Sequence, residues 1–357
     1  MICVQSSNPA SSNRAAALVI VMILVLAMAV MAGAFAYAMK VETRLASNTQ
    51  STPELEWYGR SGVEIARWIL EAQRRIPGEG TYDGLNQFWA GGPGAFEAID
   101  NPFVGMDLHL VPIGEGSISI QITDLERRIN LNTATEPMLE LALQVIGAGA
   151  GDAAMITSAI ADWRDRDDLE HLKGGAEKSY YAGLTPPYVP KDGPFDDVSE
   201  LLRVRGVYPS LYWGSRLNAS RPITRDRRQP ISLIEADQTG AGLVDIFTAI
   251  SANRVNVNTA TPAVLRVLMG GDENLARQVV QRRAGPDGQD GTEDDQPFRS
   301  AAEIPSGGIN QATLFTTQSA TFEVRVEARI GSARKTFVGI VRRGAGREGQ
   351  IMLFHPE

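Results

Sequence analysis

The chain has 357 residues, 43% hydrophobic and 21% charged, which is close to a globular average and excludes both wholesale disorder and a polytopic membrane protein. Its 34 basic and 42 acidic residues leave a net charge of −8, a balance opposed to sequence-independent nucleic-acid binding, in which Lys and Arg neutralise phosphates. The single cysteine, Cys3, excludes an intrachain disulfide, and His109, His171 and His355 are too scattered for a zinc-ligand spacing.

From Ala15 to Met39 the chain carries no charge and is rich in Val, Ile, Leu, Met and Ala, enough to cross a hydrocarbon core of ~30 Å as a helix. Beyond it Val41 and Leu45, then Tyr58, Val63, Ala66, Ile69 and Leu70, recur at helical spacing between charged residues. Pro53 is expected to break or kink this rod, which then resumes from Glu54 to Arg75 and stops at Pro77-Gly78. Loops follow to Pro112, with a short element expected around Phe88 and Phe96.

Ser117 to Ile122 alternates polar and apolar residues, the mark of a half-buried strand, and its partners come only near the end of the chain. There Thr321 to Ile330 alternates Phe322, Val324, Val326 and Ala328 with charges, Gly331-Ser332 turns, and Lys335 to Val341 returns as a β-hairpin. The expected fold is therefore α+β: a long N-terminal transmembrane helix packed on a small antiparallel sheet, with a large, mostly helical insertion between its strands. The segments run 1–15 as leader, 16–40 as membrane helix, 41–76 as its continuation, 77–122 with 320–343 as the sheet domain, and 123–319 as the insertion. Residues 344–357 form a tail.

The insertion contains an internal repeat. Arg128-Ile129-Asn130-Leu131-Asn132-Thr133-Ala134-Thr135 returns as Arg254-Val255-Asn256-Val257-Asn258-Thr259-Ala260-Thr261, with only aliphatic exchanges between them. A second echo sets Pro194-Phe195 and the residues to Leu201 against Pro297-Phe298 and the residues to Ile304, giving units of about 123–225 and 250–319. Asn130, Asn132, Thr133, Asn256, Asn258 and Thr259 are expected to cap the helix that follows each run. The runs resemble the helix-hairpin-helix (SAM-like) modules of competence-type DNA receptors. Their glycine hairpins are degenerate, however, because Asp152 and Asp272 stand at helix entrances where a phosphate would be repelled.

Two loops are strongly acidic. Gly285 to Asp295 gathers five carboxylates with no evident compensating cation, and its glycines let Asp287, Gln289, Asp290, Thr292, Asp294 and Asp295 converge as hard oxygen ligands suited to calcium. Asp162-Trp163-Arg164-Asp165-Arg166-Asp167-Asp168 is read instead as a salt-bridged or capping cluster, its arginines pairing the acids. No Ser-His-Asp or Cys-His set and no P-loop stands out, so the chain is not expected to be an enzyme.

Asp162-Trp163-Arg164-Asp165-x-Asp167, Gly174-Gly175-Ala176-Glu177, Tyr180-Tyr181, Phe195 to Val204 and Asn256 to Ala260, in this order behind an apolar helix, resemble the minor pseudopilin K family of type II secretion systems. The resemblance implies a single-pass inner-membrane protein with its globular part in the periplasm, cleaved by prepilin peptidase between Ala15 and Ala16, where Ala15 replaces the usual Gly. Position five of the mature chain is Ile20 instead of Glu, as in the K type. It further implies a tip role with minor pseudopilins of the I and J type, contacts with the H type, the major pseudopilin, the assembly platform and secreted substrate, calcium as the metal, and no nucleic acid. The competing reading is a membrane-anchored DNA receptor for uptake.

Overall fold

The computed structural model describes residues 10–94, 101–214, 240–305, 311–344 and 349–357; Cys3 and Phe96 fall outside these ranges. Helix α1 spans Ala10–Gln73. Ala17–Glu42 within it has a mean hydropathy of 2.9 and is wholly exposed, so one stretch of the described chain is long and apolar enough to span a membrane. Ala15 and Ala16 lie in the same helix, and Ile20 is among its exposed apolar residues.

The expected break at Pro53 does not occur, and the helix is continuous through it. An interior proline costs ~3 kcal/mol, mainly by deleting one hydrogen bond. The turns that follow repay that cost, because Leu55, Tyr58, Val63, Ala66, Ile69 and Leu70 are buried against the sheet. Gly59 and Gly62 permit the close approach: a Cβ on either would fall 2.4 Å from the Phe337 ring or 2.6 Å from Val326.

The sheet has the order β1-β2-β7-β8-β9, antiparallel throughout. It comprises β1 Val111–Ile113, β2 Gly116–Asp124, β7 Thr321–Ile330, β8 Ala333–Arg342 and β9 Gln350–Pro356. Ile118, Ile120 and Ile122 alternate inward to meet α1, as do Phe322, Val324, Val326 and Ala328. Both edge strands lie outside the expected ones: β1 is only three residues long, and β9 occupies the expected tail.

Between β2 and β7 lies a second hydrophobic core, shared by two units of one design. In the first, β3 (Ile129–Asn130) pairs in parallel with β4 (Phe247–Thr248). In the second, β5 (Val255–Asn256) pairs in parallel with β6 (Phe315–Thr316). The first unit therefore closes at Thr248, well beyond residue 225. The closing segments are a third echo, Ile246-Phe247-Thr248 against Leu314-Phe315-Thr316, and each threonine hydroxyl bonds the backbone two residues on.

The repeated asparagines are not helix caps. Thr135 and Thr261 hold the N-cap positions of α2 (Glu136–Val145) and of helix Pro262–Leu268, and Thr261 accepts from the Val264 N–H. Asn132 instead uses its amide as a piece of backbone: its Nδ2 donates to Phe195 O at 2.9 Å and its Oδ1 accepts from Phe195 N at 2.7 Å. Asn258 does the same with Phe298, at 2.9 and 2.8 Å. The first two echoes of the sequence are thus the two halves of one clip. Asn130 and Asn256 turn their own segments by accepting from the N–H of Asn132 and Asn258. Thr133 reaches back to Asn130 O, and Thr259 to Asp124. Of the two acids expected at helix entrances, Asp272 caps helix Glu273–Arg283 through the Leu275 N–H, whereas α3 (Ala150–Arg164) has Gly149 at its N-cap and Asp152 in its first turn.

The insertion leaves the sheet after Asp124 and returns at Thr321, and a buried polar junction ties the two strands of passage together. Asp124 Oδ2 accepts from Thr259 Oγ1 (2.5 Å), Ser319 Oγ (2.7 Å) and Asn256 Nδ2 (3.1 Å). Glu126 accepts from the N–H groups of Ala252, Ala320 and Thr321. Asp83 holds Arg343 in a bidentate pair (2.8 and 3.0 Å) and accepts from Ser319 N. Burial above all, then the Glu126 charge, pushes Asp124 up to about 7, against the hydroxyl donors that favour its anion.

Two outcomes follow from these contacts. Asn258→Ala leaves the buried Phe298 N–H and C=O unpaired and should lower stability by about 2–4 kcal/mol in urea melts, more than the half-buried Asn132→Ala. An unfolded Asp releases its proton near ~4, so Asp124 contributes stability below that pH which declines as pH rises towards about 7. Asp124→Asn should flatten that slope in melts compared across the window.

Candidate metal centre

The acidic residues that close α3 and the loop after it gather in two overlapping groups that share Asp165. Asp162 and Trp163 lie in the last turn of α3, with Trp163 buried against Tyr181 and Phe195, so the helix end is fixed by its aromatic core. Asp162 itself is fully buried. The chain then passes Asp165, Asp167 and His171 and returns through Gly175 and Glu177. A Cβ on Gly175 would fall 1.9 Å from Asp162 Oδ2, so the loop can wrap this carboxylate only with glycine there.

Ligand atoms of Asp162, Asp165 and His171 lie within 4.8 Å of one another, as do those of Asp165, Asp167 and Glu177. Asp162 Oδ2, Asp165 Oδ1, both carboxylate oxygens of Glu177 and Asp192 Oδ1 are buried and find no hydrogen-bond partner. Burial, followed by the charges of Asp162 and Asp165, pushes Glu177 up to about 7, and burial with Asp167 and Asp162 raises Asp165. For His171 burial pulls down, but its hydrogen bond to Asp162 and the charges of Asp162, Glu136 and Asp165 outweigh it and hold the imidazole above its ordinary value. Lys178 is raised by its bonds to Asp168 and Asp192, both 2.8 Å away.

This differs from the reading of these acids as paired by their interleaved arginines. Arg164 gives its donors to Leu131 O (2.8 Å) and Ala134 O (3.0 Å), and the basic side chains that bond to the cluster's acids are Lys178 and His171. Buried carboxylates with no donor are costly, and the set fits a hard cation such as calcium, which takes six to eight oxygen ligands. A histidine read as isolated in the sequence sits beside it.

The other acidic loop is organised differently. Its charge is not uncompensated: Arg283, which sequence spacing did not connect to it, grips both oxygens of Asp290 at 2.9 and 3.0 Å, and these side chains are 2% and 4% exposed. Asp290 is therefore withdrawn from the expected ligand set. Asp294 accepts from Thr292 Oγ1 (2.7 Å) and Asp287 N (2.9 Å), which hold it below the usual carboxylate range. Asp295 accepts from Gly291 N, and burial pushes it up to about 6. Asp287 accepts from Gln289 N.

A membrane-length helix whose second half packs on a small antiparallel sheet is the build of a pilin-like subunit. The family model described as type II secretion system (T2SS) protein K matches residues 121–215, which contain the whole acidic cluster. The type II secretion system protein K of Aeromonas hydrophila is 23% identical over 86% of this chain and 86% of its own length. Protein K of Pseudomonas aeruginosa is 24% identical over 86% of this chain and 81% of its own, and that of Klebsiella pneumoniae 29% identical over about half of each. In structure, a chain of the GspK-GspI-GspJ complex from enterotoxigenic Escherichia coli matches with a TM-score of 0.60 at 18% identity, covering 87% of this chain and 99% of that one. Residues 121–215 thus match the protein K family model, and along most of its length the chain is similar to type II secretion system protein K in sequence and in fold.

Proposed function

We propose that this chain occupies the tip of the pseudopilus, where it starts or caps assembly together with minor pseudopilins of the I and J type and so supports protein export across the outer membrane. The observation that carries this reading is where the insertion is mounted. Ser319, at its return, donates its hydroxyl to Asp124, at its exit, and its N–H to Asp83, ten residues past the end of α1. The membrane-spanning segment is at the opposite end of that helix, so the insertion stands on the membrane-distal end of the rod, where it obstructs a further subunit stacking above. The reading carries with it a globular part in the periplasm, an inner-membrane anchor, and prepilin-peptidase cleavage between Ala15 and Ala16 that leaves Ile20 at position five.

Trp57 and Trp68 mark the surface for these partners. They stand three turns apart on the face of α1 opposite the sheet, 69% and 46% exposed. Trp68 borders an apolar groove with Ile65, Met106 and Val111, rimmed by Glu64, Arg67 and Asp107. An exposed tryptophan at an apolar groove, with a second farther along the same helix face, suits a packed protein interface, and a partner anchored in the same membrane would bring its own helix alongside α1.

Calcium is proposed at Asp162, Asp165, Asp167 and Glu177, where its charge would satisfy the unpartnered carboxylates and fasten the loop to the end of α3. In the loop at 287–295, where Arg283 already neutralises Asp290, no calcium is proposed.

Co-expression of the full-length chain with its I- and J-type partners should yield a stoichiometric complex in detergent, and failure to co-purify in calcium would sink the tip reading. Trp57→Ala should leave the fold intact and weaken the complex by about tenfold or more. Calcium should raise the melting temperature of the wild type, and Glu177→Gln should lose that gain while melting above the wild type in chelator at alkaline pH, because it removes one buried like charge.

A further inference from the structure

The two units of the insertion share one chemistry up to a single difference. In each, an arginine closes the second long helix and donates to the carbonyl that lies between the paired asparagines: Arg164 Nη1 to Leu131 O at 2.8 Å, Arg283 Nη1 to Val257 O at 2.6 Å. An acidic loop follows each arginine and leads to the phenylalanine that clips onto the second asparagine. The two acidic loops, unrelated in sequence, are therefore the same loop of a duplicated unit.

They part at what neutralises them. Arg164 gives its second contact to Ala134 O, and the acids around it keep buried, unpartnered oxygens. Arg283 gives its Nε and Nη2 to Asp290 as a bidentate pair that is almost wholly buried. Asp287, Asp294 and Asp295 of that loop accept from Thr292, Gly291, Gln289 and Asp287 N–H or O–H donors within the loop. Its tip packs on the sheet domain, where a Cβ on Gly291 would stand 3.4 Å from Leu85 O.

We infer that Arg283 takes the place of a metal ion in the second unit, so that calcium governs the fastening of the first unit alone. This rests on the calcium reading of the Asp162–Glu177 cluster. The second unit supplies Asn256 and Thr259 to the junction with the sheet, so the division separates a cation-sensitive outer unit from a cation-independent mount. A fall in calcium then loosens the segment between Asp165 and Glu177 without detaching the insertion from the rod.

Limited proteolysis of the full-length protein in detergent, with a protease specific for acidic residues and cleavage sites read by mass spectrometry, tests this directly. In wild type, chelator should raise cleavage at 165–177 by about tenfold or more and leave 285–295 protected. Arg283→Met should open 285–295 even in calcium, because it strands Asp290 as a buried charge. Should that variant fail to fold, Asp290→Asn, which keeps the shape and loses the ion pair, is expected to open the same loop. Chelator-induced cleavage at 285–295 in wild type would overturn the inference and restore a cation to that loop. If calcium protects neither segment, the calcium reading falls by itself. The role given to the Arg283–Asp290 pair is overturned separately if both variants leave 285–295 as protected as in wild type.

Discussion

The structure depends on one buried polar junction, where Asp83, Asp124, Glu126, Asn256, Thr259, Ser319 and Arg343 meet at the far end of the rod. A strand that hands its chain to a large insertion and takes it back at the neighbouring strand leaves two passages of irregular backbone to be satisfied. Glu126 does this for the N–H groups of Ala252, Ala320 and Thr321, while Asp124 gathers the side chains of Asn256, Thr259 and Ser319. Arg343, at the end of β8, pairs with Asp83 and packs over Phe322, so the hub is coupled to the sheet core. Three carboxylates with one buried arginine is a poor electrostatic bargain for stability. What the arrangement fixes is the position of the insertion relative to the sheet, because any displaced register would strand a buried charge.

Inside the insertion the same economy is repeated with neutral groups. An asparagine amide has the donor and acceptor of a peptide unit, so Asn132 and Asn258 extend a short strand sideways without needing another strand. That explains why a unit with only two-residue strands is well defined. The clip holds the end of each acidic loop, an arginine holds its beginning, and the span between is free to specialise. One copy collects carboxylates around α3 and the other neutralises itself with Arg283. Duplication thus supplied two equivalent frames, and divergence in the loops gave them different electrostatics.

The membrane-length helix, the β2 strand, the β7–β8 hairpin and the duplication were legible because each is written in local periodicity or in repeated residues. Pro53 misled because propensity weighs one residue against its neighbours, whereas Leu55 to Leu70 bury a whole face of the helix against the sheet. β9 was illegible for the opposite reason: Ile351 to Leu353 are apolar without alternation and remain partly exposed, and only pairing with β8 makes them a strand. The third echo around Phe247 and Phe315 was present in the letters and could have been found by aligning the two units to their ends.

By itself, the sequence determined that the chain is a greasy rod carrying a small sheet and a duplicated insertion, since hydropathy, alternation and repetition are properties of neighbouring residues. The tertiary structure decided which acids are neutralised. Arg164 lies among aspartates in the chain and points at carbonyls, whereas Arg283 lies before a loop that contains no cation and buries itself on Asp290 seven residues on. Charge compensation is set by distance and burial in space, and a count of charges along the chain contains neither.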